Sequence, residues 1–273
     1  MSPTPKASMT TRASKASNDH RPLDGKVVIV TGGNSGIGEG IVREAASQGA
    51  KVVIDYVSRP EDTDAIIKDI AAAGGEAIGC EADVSKVADL EKLIAAAVET
   101  YGRLDVMVNN AGVEFGESLA TLTEEKYDLL MNINLKGAVF GSKLAAEQMR
   151  KQGDGGVIVN ITSTHEDWPM PSDLAYCISK GGMRMLTRTA GAELGADGIR
   201  VVGVGPGAIN TLINDDDTAA ETKALEDAIP LSYIGSTQEM GRIVCFVASE
   251  AASYITATTI MADGGLMQKP GAV

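Results

Sequence analysis

Three side chains suited to proton transfer lie close together in the sequence: Ser163, Tyr176 and Lys180. Tyr176 and Lys180 are four positions apart in a stretch with helical spacing, so both project from one face of a helix. Tyrosine ordinarily ionises at about pH 10, and a nearby ammonium lowers its pKa by stabilising the phenolate. We therefore expect Tyr176 to exchange a proton with a substrate oxygen that Ser163 also hydrogen-bonds.

The same three residues also fit a purely structural interpretation. In that alternative Tyr176 and Lys180 are a surface pair on an amphipathic helix, and Ser163 is a turn residue at the end of a strand. Tyr-x-x-x-Lys is common by chance. Its offset from Ser163, combined with the glycine turn and the Asn-Asn-Ala-Gly segment described below, favours the chemical interpretation.

A glycine-rich turn, Thr31-Gly32-Gly33-Asn34-Ser35-Gly36-Ile37-Gly38, joins an apolar strand-like run to a helical stretch. Glycines let a backbone approach a pyrophosphate, and the amino end of the following helix offers unpaired N–H groups. An ordinary strand-to-helix turn without a ligand remains the alternative. A nucleotide-hydrolysing P-loop is excluded, because Glu39 stands where its lysine would be needed.

Seven short apolar runs alternate with longer helical stretches, for example the stripe that contains Leu90, Leu93 and Ile94. This alternation predicts an α/β fold: a single doubly wound Rossmann-type domain with a seven-stranded parallel sheet and helices on both faces. Ligands of such sheets bind at the carboxyl ends of the strands. The predicted strands are 27–30, 52–56, 77–80, 104–108, 157–161, 200–204 and 258–261.

The ends of this domain are set by composition. Residues 1–20 lack hydrophobic periodicity, which predicts a disordered amino-terminal tail, with a transit peptide as the alternative. Residues 21–273 are predicted to form the domain. The acidic stretch 214–227 interrupts the alternation and predicts an inserted loop or short helix, either a solvated surface or a lid over a substrate.

Composition narrows the partners. A formal net charge of -13 disfavours nucleic acid and anionic membranes. No apolar run is long enough to cross a bilayer. Cys80, Cys177 and Cys245 form no closely spaced pair, so we expect no disulfide framework, no metal site and a reduced, cytoplasmic location.

In their order along the chain these motifs resemble the short-chain dehydrogenase/reductase family. The glycine spacing Gly32-x-x-x-Gly36-x-Gly38 is followed by Asp83-Val84, Asn109-Asn110-Ala111-Gly112 and the tyrosine–lysine pair. The resemblance implies an enzyme that transfers a hydride between NAD(P) and a hydroxyl or carbonyl carbon. The catalytic residues it implies are Asn134, which would hold a proton-relaying water, Ser163, Tyr176 and Lys180.

The same resemblance implies a dinucleotide site. Asp83 and Val84 match the adenine contact of the family, and 109–112 matches the segment that steadies the central strand beside the cofactor. The implied contacts are Gly32, Asn34, Ser35, Gly36, Ile37, Gly38, Asp55, Asp83, Val84, Asn110, Ala111, Gly112, Tyr176, Lys180, Pro206, Gly207 and Ile209.

The type of dinucleotide depends on the end of the second strand, where a carboxylate favours the free ribose of NAD and a basic residue favours NADP. Asp55 is such a carboxylate, although it lies one position before the usual place, where this chain has Tyr56. The position of the arginine in NADP-using relatives is Val57, and Arg59 is available in the loop. We expect NAD, with NADP or dual use left open.

Local strings at 163–166, 205–211, 233–235 and 262–265 are similar to the glucose 1-dehydrogenase branch of the family. That likeness implies a small sugar or polyol substrate bound by Ser163, His165, Tyr176 and Asn214. Glu114 also matches a sugar-site position, but we expect a structural role for it.

Other positions depart from this branch. Val202 and Leu212 replace its usual asparagine and proline, and Phe115, Trp168 and Met170 add apolar bulk. A carbonyl or 3-oxoacyl reductase is therefore the second hypothesis, and a catalytically inactive dinucleotide-binding regulator the third. Relatives are usually tetramers, so we expect a homotetramer; the apolar carboxyl-terminal residues that fit a buried end are Ile255, Ile260, Met261, Leu266 and Met267.

Overall fold

The computed structural model describes residues 21–211 and 218–268. Seven strands form one sheet: β1 (Val27–Val30), β2 (Lys51–Tyr56), β3 (Glu76–Glu81), β4 (Val106–Asn109), β5 (Gly156–Ile161), β6 (Ile199–Pro206) and β9 (Thr258–Ala262). Strands β7 and β8 form a separate pair that is described below. The order in the seven-stranded sheet is β3-β2-β1-β4-β5-β6-β9, and every neighbouring pair is parallel.

Helices cover both faces of this sheet, because its central strands are apolar on both sides and need cover on each. They are α1 (Gly36–Ser47), α2 (Pro60–Ala72), α3 (Val87–Tyr101), α4 (Glu124–Met131), α5 (Gly137–Gln152), α6 (Leu174–Leu194), α7 (Ala219–Ala228) and α8 (Thr237–Ala248). One buried cluster joins the sheet to α1, α2 and α8, and a second joins it to α3, α5 and α6.

The predicted fold class is confirmed: the chain forms a Rossmann-type sheet of seven parallel strands with helices on both faces. The chain order reverses between β1 and β4, so their connections leave a crevice at the carboxyl ends of these strands. The glycine turn follows β1, and the segment that carries Ser163 follows β5, so both reach this edge.

Some details differ from the sequence prediction. A separate two-stranded pair, β7 (Ile209–Asn210) with β8 (Gly235–Ser236), was not predicted, because two-residue strands leave no periodic signal. Helix α7 occupies most of the predicted insertion and begins with a capping box formed by Thr218 and Glu221. Residues 214–217 and the predicted tail at 1–20 lie outside the described residues.

Within the ranges that the structure describes, no helix is both long enough and apolar enough to span a membrane.

Candidate active site

The glycine turn has the geometry of an anion-binding loop. Gly32 and Gly36 adopt φ angles of 59° and 52°, which only glycine takes without strain. A Cβ on Gly38 would lie 2.1 Å from the Gly32 carbonyl oxygen, so the turn and α1 touch backbone to backbone. The side chain of Ser35, the residue before α1, makes no capping hydrogen bond. It therefore leaves the backbone N–H groups at the amino end of α1 available to an anion.

Thr31 ties this turn to the Asn-Asn-Ala-Gly segment after β4. Its hydroxyl oxygen accepts the backbone N–H of Asn110 at 2.9 Å and of Ala111 at 3.0 Å. The Asn110 amide donates in return to the Thr31 carbonyl oxygen at 2.8 Å. Sequence reasoning missed Thr31, although its place at the end of a buried strand before the glycines was the available signal.

Asp55, the carboxylate expected at the ribose of the dinucleotide, is buried and does not lie open to the crevice. It is 1% exposed, and its Oδ2 accepts the Gly32 N–H at 3.1 Å while its Oδ1 is buried without a hydrogen-bond partner. Burial raises the pKa of Asp55 to about 7, and the carboxylates of Asp83 and Asp89 add to the rise. The geometry makes Asp55 a support beneath the glycine turn, because the strand buries its side chain under the backbone of that turn.

The loop after β2 is held beside the turn by Asn34. The Asn34 amide donates to the carbonyl oxygens of Ser58 at 2.8 Å and Arg59 at 3.2 Å. Val57 is 64% exposed. The Arg59 side chain is also exposed and pairs with Asp62 at 3.1 Å. A basic group therefore lies at the rim where a ribose phosphate of a dinucleotide would be read.

Asp83 and Val84 lie between β3 and α3. The Asp83 carboxylate accepts the backbone N–H and the hydroxyl of Ser85, at 3.0 Å and 2.6 Å, and these bonds lower its pKa. Val84 is buried, and a Cβ on Gly137 would lie 3.2 Å from its side chain. The two residues thus form a rigid wall of the crevice.

The segment after β6 closes the opposite side. The Gly207 N–H donates to Ala262 at 3.0 Å, and Pro206 and Ile209 are buried. A Cβ on Gly36 would lie 3.6 Å from the Thr211 methyl group, so this segment passes directly over the glycine turn.

Ser163, Tyr176 and Lys180 meet at the ends of β5 and α6. The Ser163 hydroxyl accepts the His165 N–H at 3.1 Å and lies close enough to the Tyr176 phenol to lower the pKa of that phenol. The Lys180 ammonium lies 5.4 Å from the centre of the Tyr176 ring and donates to the Ile161 carbonyl oxygen at 2.9 Å. The predicted proximity of these side chains is present.

The expected lowering of the Tyr176 pKa is absent. Burial raises the pKa of Tyr176 to about 12. The Ser163 hydroxyl opposes that rise, whereas the carboxylates of Glu114 and Asp173 add to it. Burial lowers the pKa of Lys180 to about 8. The protein alone therefore holds Tyr176 as a neutral phenol, because burial disfavours the charged phenolate.

Asn134 lies in a π-helical turn, Asn132–Lys136, between α4 and α5. It is fully buried, and its amide both accepts the N–H of Val113 and donates to its carbonyl oxygen, each at 2.8 Å. It also donates to the Ser179 hydroxyl at 3.3 Å. Asn134 thus links the segment after β4 to α6; π-helical turns are frequent at functional sites.

The structure describes only some of the residues expected to contact the substrate. The His165 ring lies 6.2 Å from that of Tyr176, and its Nδ1 is 3.2 Å from the Trp168 carbonyl oxygen. Burial raises the pKa of Glu114, and the nearby charge of Asp173 adds to the rise. Asp173 is a buried residue that sequence reasoning missed. Asn214 lies outside the described residues.

The donors at this crevice fit a dinucleotide better than a metal ion. Glycine backbone, an uncapped helix start and amide groups surround it, as a pyrophosphate requires. Among the described side chains, no group of three His, Cys, Asp or Glu residues is arranged to hold a metal ion.

Comparison with known proteins matches this geometry. A family model described as enoyl-(acyl carrier protein) reductase matches residues 32–267. The chain is 37% identical over 251 residues to 3beta-hydroxysteroid dehydrogenase 1 of Eggerthella lenta, covering 91% of this chain and 96% of the relative. It is 35% identical over 253 residues to glucose 1-dehydrogenase 2 of Bacillus subtilis, covering 92% and 98%. A solved short-chain dehydrogenase/reductase from Serratia marcescens superposes with a TM-score of 0.84 at 33% identity, covering 90% and 99%.

Proposed function

Because the chain belongs to the short-chain dehydrogenase/reductase family, we propose that it moves a hydride between NAD(P) and a hydroxyl or carbonyl carbon, with Tyr176 as the acid–base group. The chain is an oxidoreductase of this family that acts on CH–OH groups. One observation carries the proposed roles: Ser163, Tyr176 and Lys180 converge at the carboxyl edge of the sheet, with the Lys180 ammonium 5.4 Å from the centre of the Tyr176 ring and the Ser163 hydroxyl close enough to lower the Tyr176 pKa.

Ser163 and Tyr176 divide the work on one substrate oxygen. Ser163 is fixed by the N–H of His165, so its hydroxyl can hold that oxygen beside the phenol. Tyr176 gives its proton to the oxygen in reduction and takes it back in oxidation. Its raised pKa keeps the phenol protonated, as reduction requires, but makes it a weaker acid, so proton transfer in either direction is helped by additional positive charge nearby.

Lys180 supplies part of that charge. Its ammonium is fully buried within reach of the Tyr176 ring and is present below about pH 8. When bound, NAD(P) carries the hydride and, in its oxidised form, a second positive charge near the phenol. Asn134 holds the segment before Glu114 against α6, and we propose that it also orders a proton-relaying water.

The glycine turn and the amino end of α1 would hold the pyrophosphate, with Asp83 and Val84 at the adenine. Asn110, Ala111 and Gly112 would lie along the cofactor. The remaining proposed contacts come from the turn and from the far wall, namely Gly32, Asn34, Ser35, Gly36, Ile37, Gly38, Pro206, Gly207 and Ile209.

We propose that the enzyme accepts both NAD and NADP. The expectation of NAD rested on Asp55 as a carboxylate at the end of the second strand, and a carboxylate buried beneath the turn does not support it. No acid replaces it at Tyr56 or Val57, and Arg59 is exposed at the rim. A guanidinium there would bind a ribose phosphate.

For the substrate we propose glucose or a similar sugar or polyol. Support comes from the polar lining, since His165 and the Glu114–Asp173 pair present hydrogen-bonding groups beside Tyr176. The relatives include a steroid dehydrogenase as well as a glucose dehydrogenase, so a carbonyl or 3-oxoacyl reductase is the second candidate.

The test follows the near-ultraviolet absorbance of reduced nicotinamide while NAD and NADP are scanned separately against glucose, other sugars, a hydroxysteroid and simple ketones. Turnover of glucose supports the sugar proposal. Turnover of apolar alcohols or ketones alone removes the sugar role of His165 and keeps the catalytic roles. Dinucleotide binding without any turnover would instead support the inactive regulator.

We also propose a cytoplasmic homotetramer. Strand β9 is an edge of the described sheet, and Ile255, Ile260 and Met261 stay half-buried in the single chain, as an interface would require. The cysteines of the described region are free, which suits a reducing compartment. Light scattering of the purified chain tests the assembly.

A further inference from the structure

Glu166 is a buried carboxylate for which the proposed mechanism has no role. It follows Ser163 by three residues, its side chain is 1% exposed, and its N–H donates to the Ser163 carbonyl oxygen at 3.0 Å. Burying a carboxylate costs several kcal/mol unless it is paired and hydrogen-bonded. The partners of Glu166 therefore indicate what it does.

Those partners come from two other elements, β9 and α6. Its Oε2 accepts the Thr259 hydroxyl of β9 at 3.2 Å. Burial raises the pKa of Glu166, and the nearby hydroxyls of Thr162 and Thr259 oppose that rise. Its Oε1 lies 3.6 Å from the Arg184 Nε of α6, and that nitrogen is itself buried without a hydrogen-bond partner. The other arm of Arg184 pairs with the exposed Asp167. Glu166 thus fastens the turn that carries Ser163 to α6 and to β9.

Arg184 continues the face of α6 that carries Tyr176 and Lys180, each four residues from the next. Two carboxylates, Glu114 and then Glu166, oppose the lowering of the Lys180 pKa by burial. Glu114 also raises the pKa of Tyr176, whereas Glu166 is not among the groups that act on the tyrosine. Glu114 therefore acts on both members of the catalytic pair, whereas Glu166 acts on Lys180.

We propose that Glu166 is a positioning residue of the reaction, whose buried carboxylate joins the Ser163 turn to α6 and β9 and serves as counter-charge to Lys180. This inference deepens the function proposed above. Arg184 and Lys180 of α6, Asp167 of its own turn, and the hydroxyls of Thr162 and Thr259 are the groups that interact with it.

The experiment titrates Lys180 itself by NMR, in cofactor-free protein carrying lysine isotope-labelled at the ε carbon, with the signal assigned through Lys180→Met. In the wild type the midpoint is expected at about pH 8. Glu166→Gln should lower it by at least about half a pH unit, because the counter-charge is lost. Arg184→Gln breaks the same ion pair and keeps the carboxylate, so it should not lower the midpoint.

The direction of the shift separates this role from a merely structural one. A loosened turn would admit water and move the Lys180 pKa upwards towards its ordinary value of 10.5. An unchanged or raised midpoint in Glu166→Gln, or an equal fall in Arg184→Gln, overturns the proposal. If Glu166→Gln does not fold, Glu166→Asp retracts the carboxylate by one methylene; a smaller fall is then expected, and no fall overturns the proposal.

Kinetics give a second readout with a substrate that the enzyme turns over. In Glu166→Gln, the apparent pKa that Lys180 gives to the pH dependence of kcat should shift to lower pH, as the NMR midpoint does. The apparent pKa that belongs to Tyr176 should not shift. A profile that keeps both apparent pKa values contradicts the counter-charge role. Since the titration needs neither cofactor nor turnover, failure of the proposed function leaves the test of Glu166 intact.

Discussion

Single side chains at this site ionise away from their ordinary values because they are buried. Burial raises the pKa of Tyr176 to about 12 and of Asp55 to about 7, and lowers that of Lys180 to about 8. In each case burial favours the neutral form of the side chain over the charged form. The site is thus prepared for charge that arrives with its ligands, and its tyrosine is a phenol until that charge is present.

Tyr176→Phe removes the acid–base hydroxyl and keeps the ring. We expect kcat/KM to fall by about 10²- to 10⁴-fold, with little change in melting temperature because the ring still fills its space. Tyr233→Phe is the control, since it removes an exposed hydroxyl that donates to Glu239 at 2.9 Å. Full activity in Tyr176→Phe would move the proton transfer to another group.

Arg59→Ala tests the basic rim of the dinucleotide site. We expect the KM for NADP to rise about tenfold and the KM for NAD to stay nearly constant, because only NADP carries the additional ribose phosphate that the guanidinium would bind. Arg21→Ala removes a comparable exposed arginine, paired with Asp24 away from the crevice, and should change neither constant. An equal effect of Arg59→Ala on both dinucleotides contradicts a phosphate contact.

At the scale of secondary-structure elements, the carboxyl ends of parallel strands bring together groups that are far apart in sequence. Asn109 at the end of β4 donates to Asn160 of β5 at 2.8 Å, and Asn160 donates to Thr187 of α6 at 2.9 Å. This buried amide chain aligns the strand that precedes Ser163 with the helix that carries Lys180. Satisfied buried networks of this kind specify one arrangement.

Gly38→Ala tests the backbone contact between the glycine turn and α1. A Cβ there meets the Gly32 carbonyl oxygen at 2.1 Å, so the turn must shift. We expect the KM for both dinucleotides to rise at least about tenfold and the melting temperature to fall. Gly195→Ala is the control, because a Cβ there meets nothing within 4 Å; similar behaviour of the two variants would contradict the packing argument.

At the scale of the whole molecule, the site costs stability. A lysine whose folded pKa is lowered contributes stability above its unfolded pKa of 10.5, and that contribution is lost as the pH falls through about 8. At neutral pH the folded chain therefore carries a buried charge that the unfolded chain would hydrate. Such a cost is common where function requires a strained or charged site.

Lys180→Met makes this cost measurable by urea unfolding at several pH values. As the pH rises from about 8 to 10.5, the wild type should gain about 3 kcal/mol in its free energy of unfolding from Lys180, and the variant should not. The free energy of unfolding of Lys180→Met relative to the wild type should therefore be highest at pH 7 and fall by that amount. Comparing pH values cancels the constant loss of the bond to Ile161. Lys223→Met, which removes an exposed lysine paired with Asp227, should lack this trend; a flat profile in Lys180→Met would contradict the buried charge.

Local sequence patterns predicted the fold class correctly and proposed the members of the catalytic group. Alternation of apolar runs with helical stretches specifies strands covered on both faces, and this pattern is local. Glycines and the tyrosine–lysine spacing are likewise local signals. These signals predicted a crevice at the carboxyl ends of the strands, which the strand order produces. They also predicted that Ser163 and Tyr176 lie close together.

How these side chains ionise, and which others support them, could not be predicted from such patterns and depends on the packing of the folded chain. Asp55 lies beneath the glycine turn, Tyr176 has a raised pKa, and Glu166 and Asp173 are buried near the catalytic pair. Exposure and the distance between charges depend on contacts between elements remote in sequence, and a residue type at a given spacing carries neither quantity. For that reason the chemistry could be read from the chain, whereas its electrostatic setting required the fold.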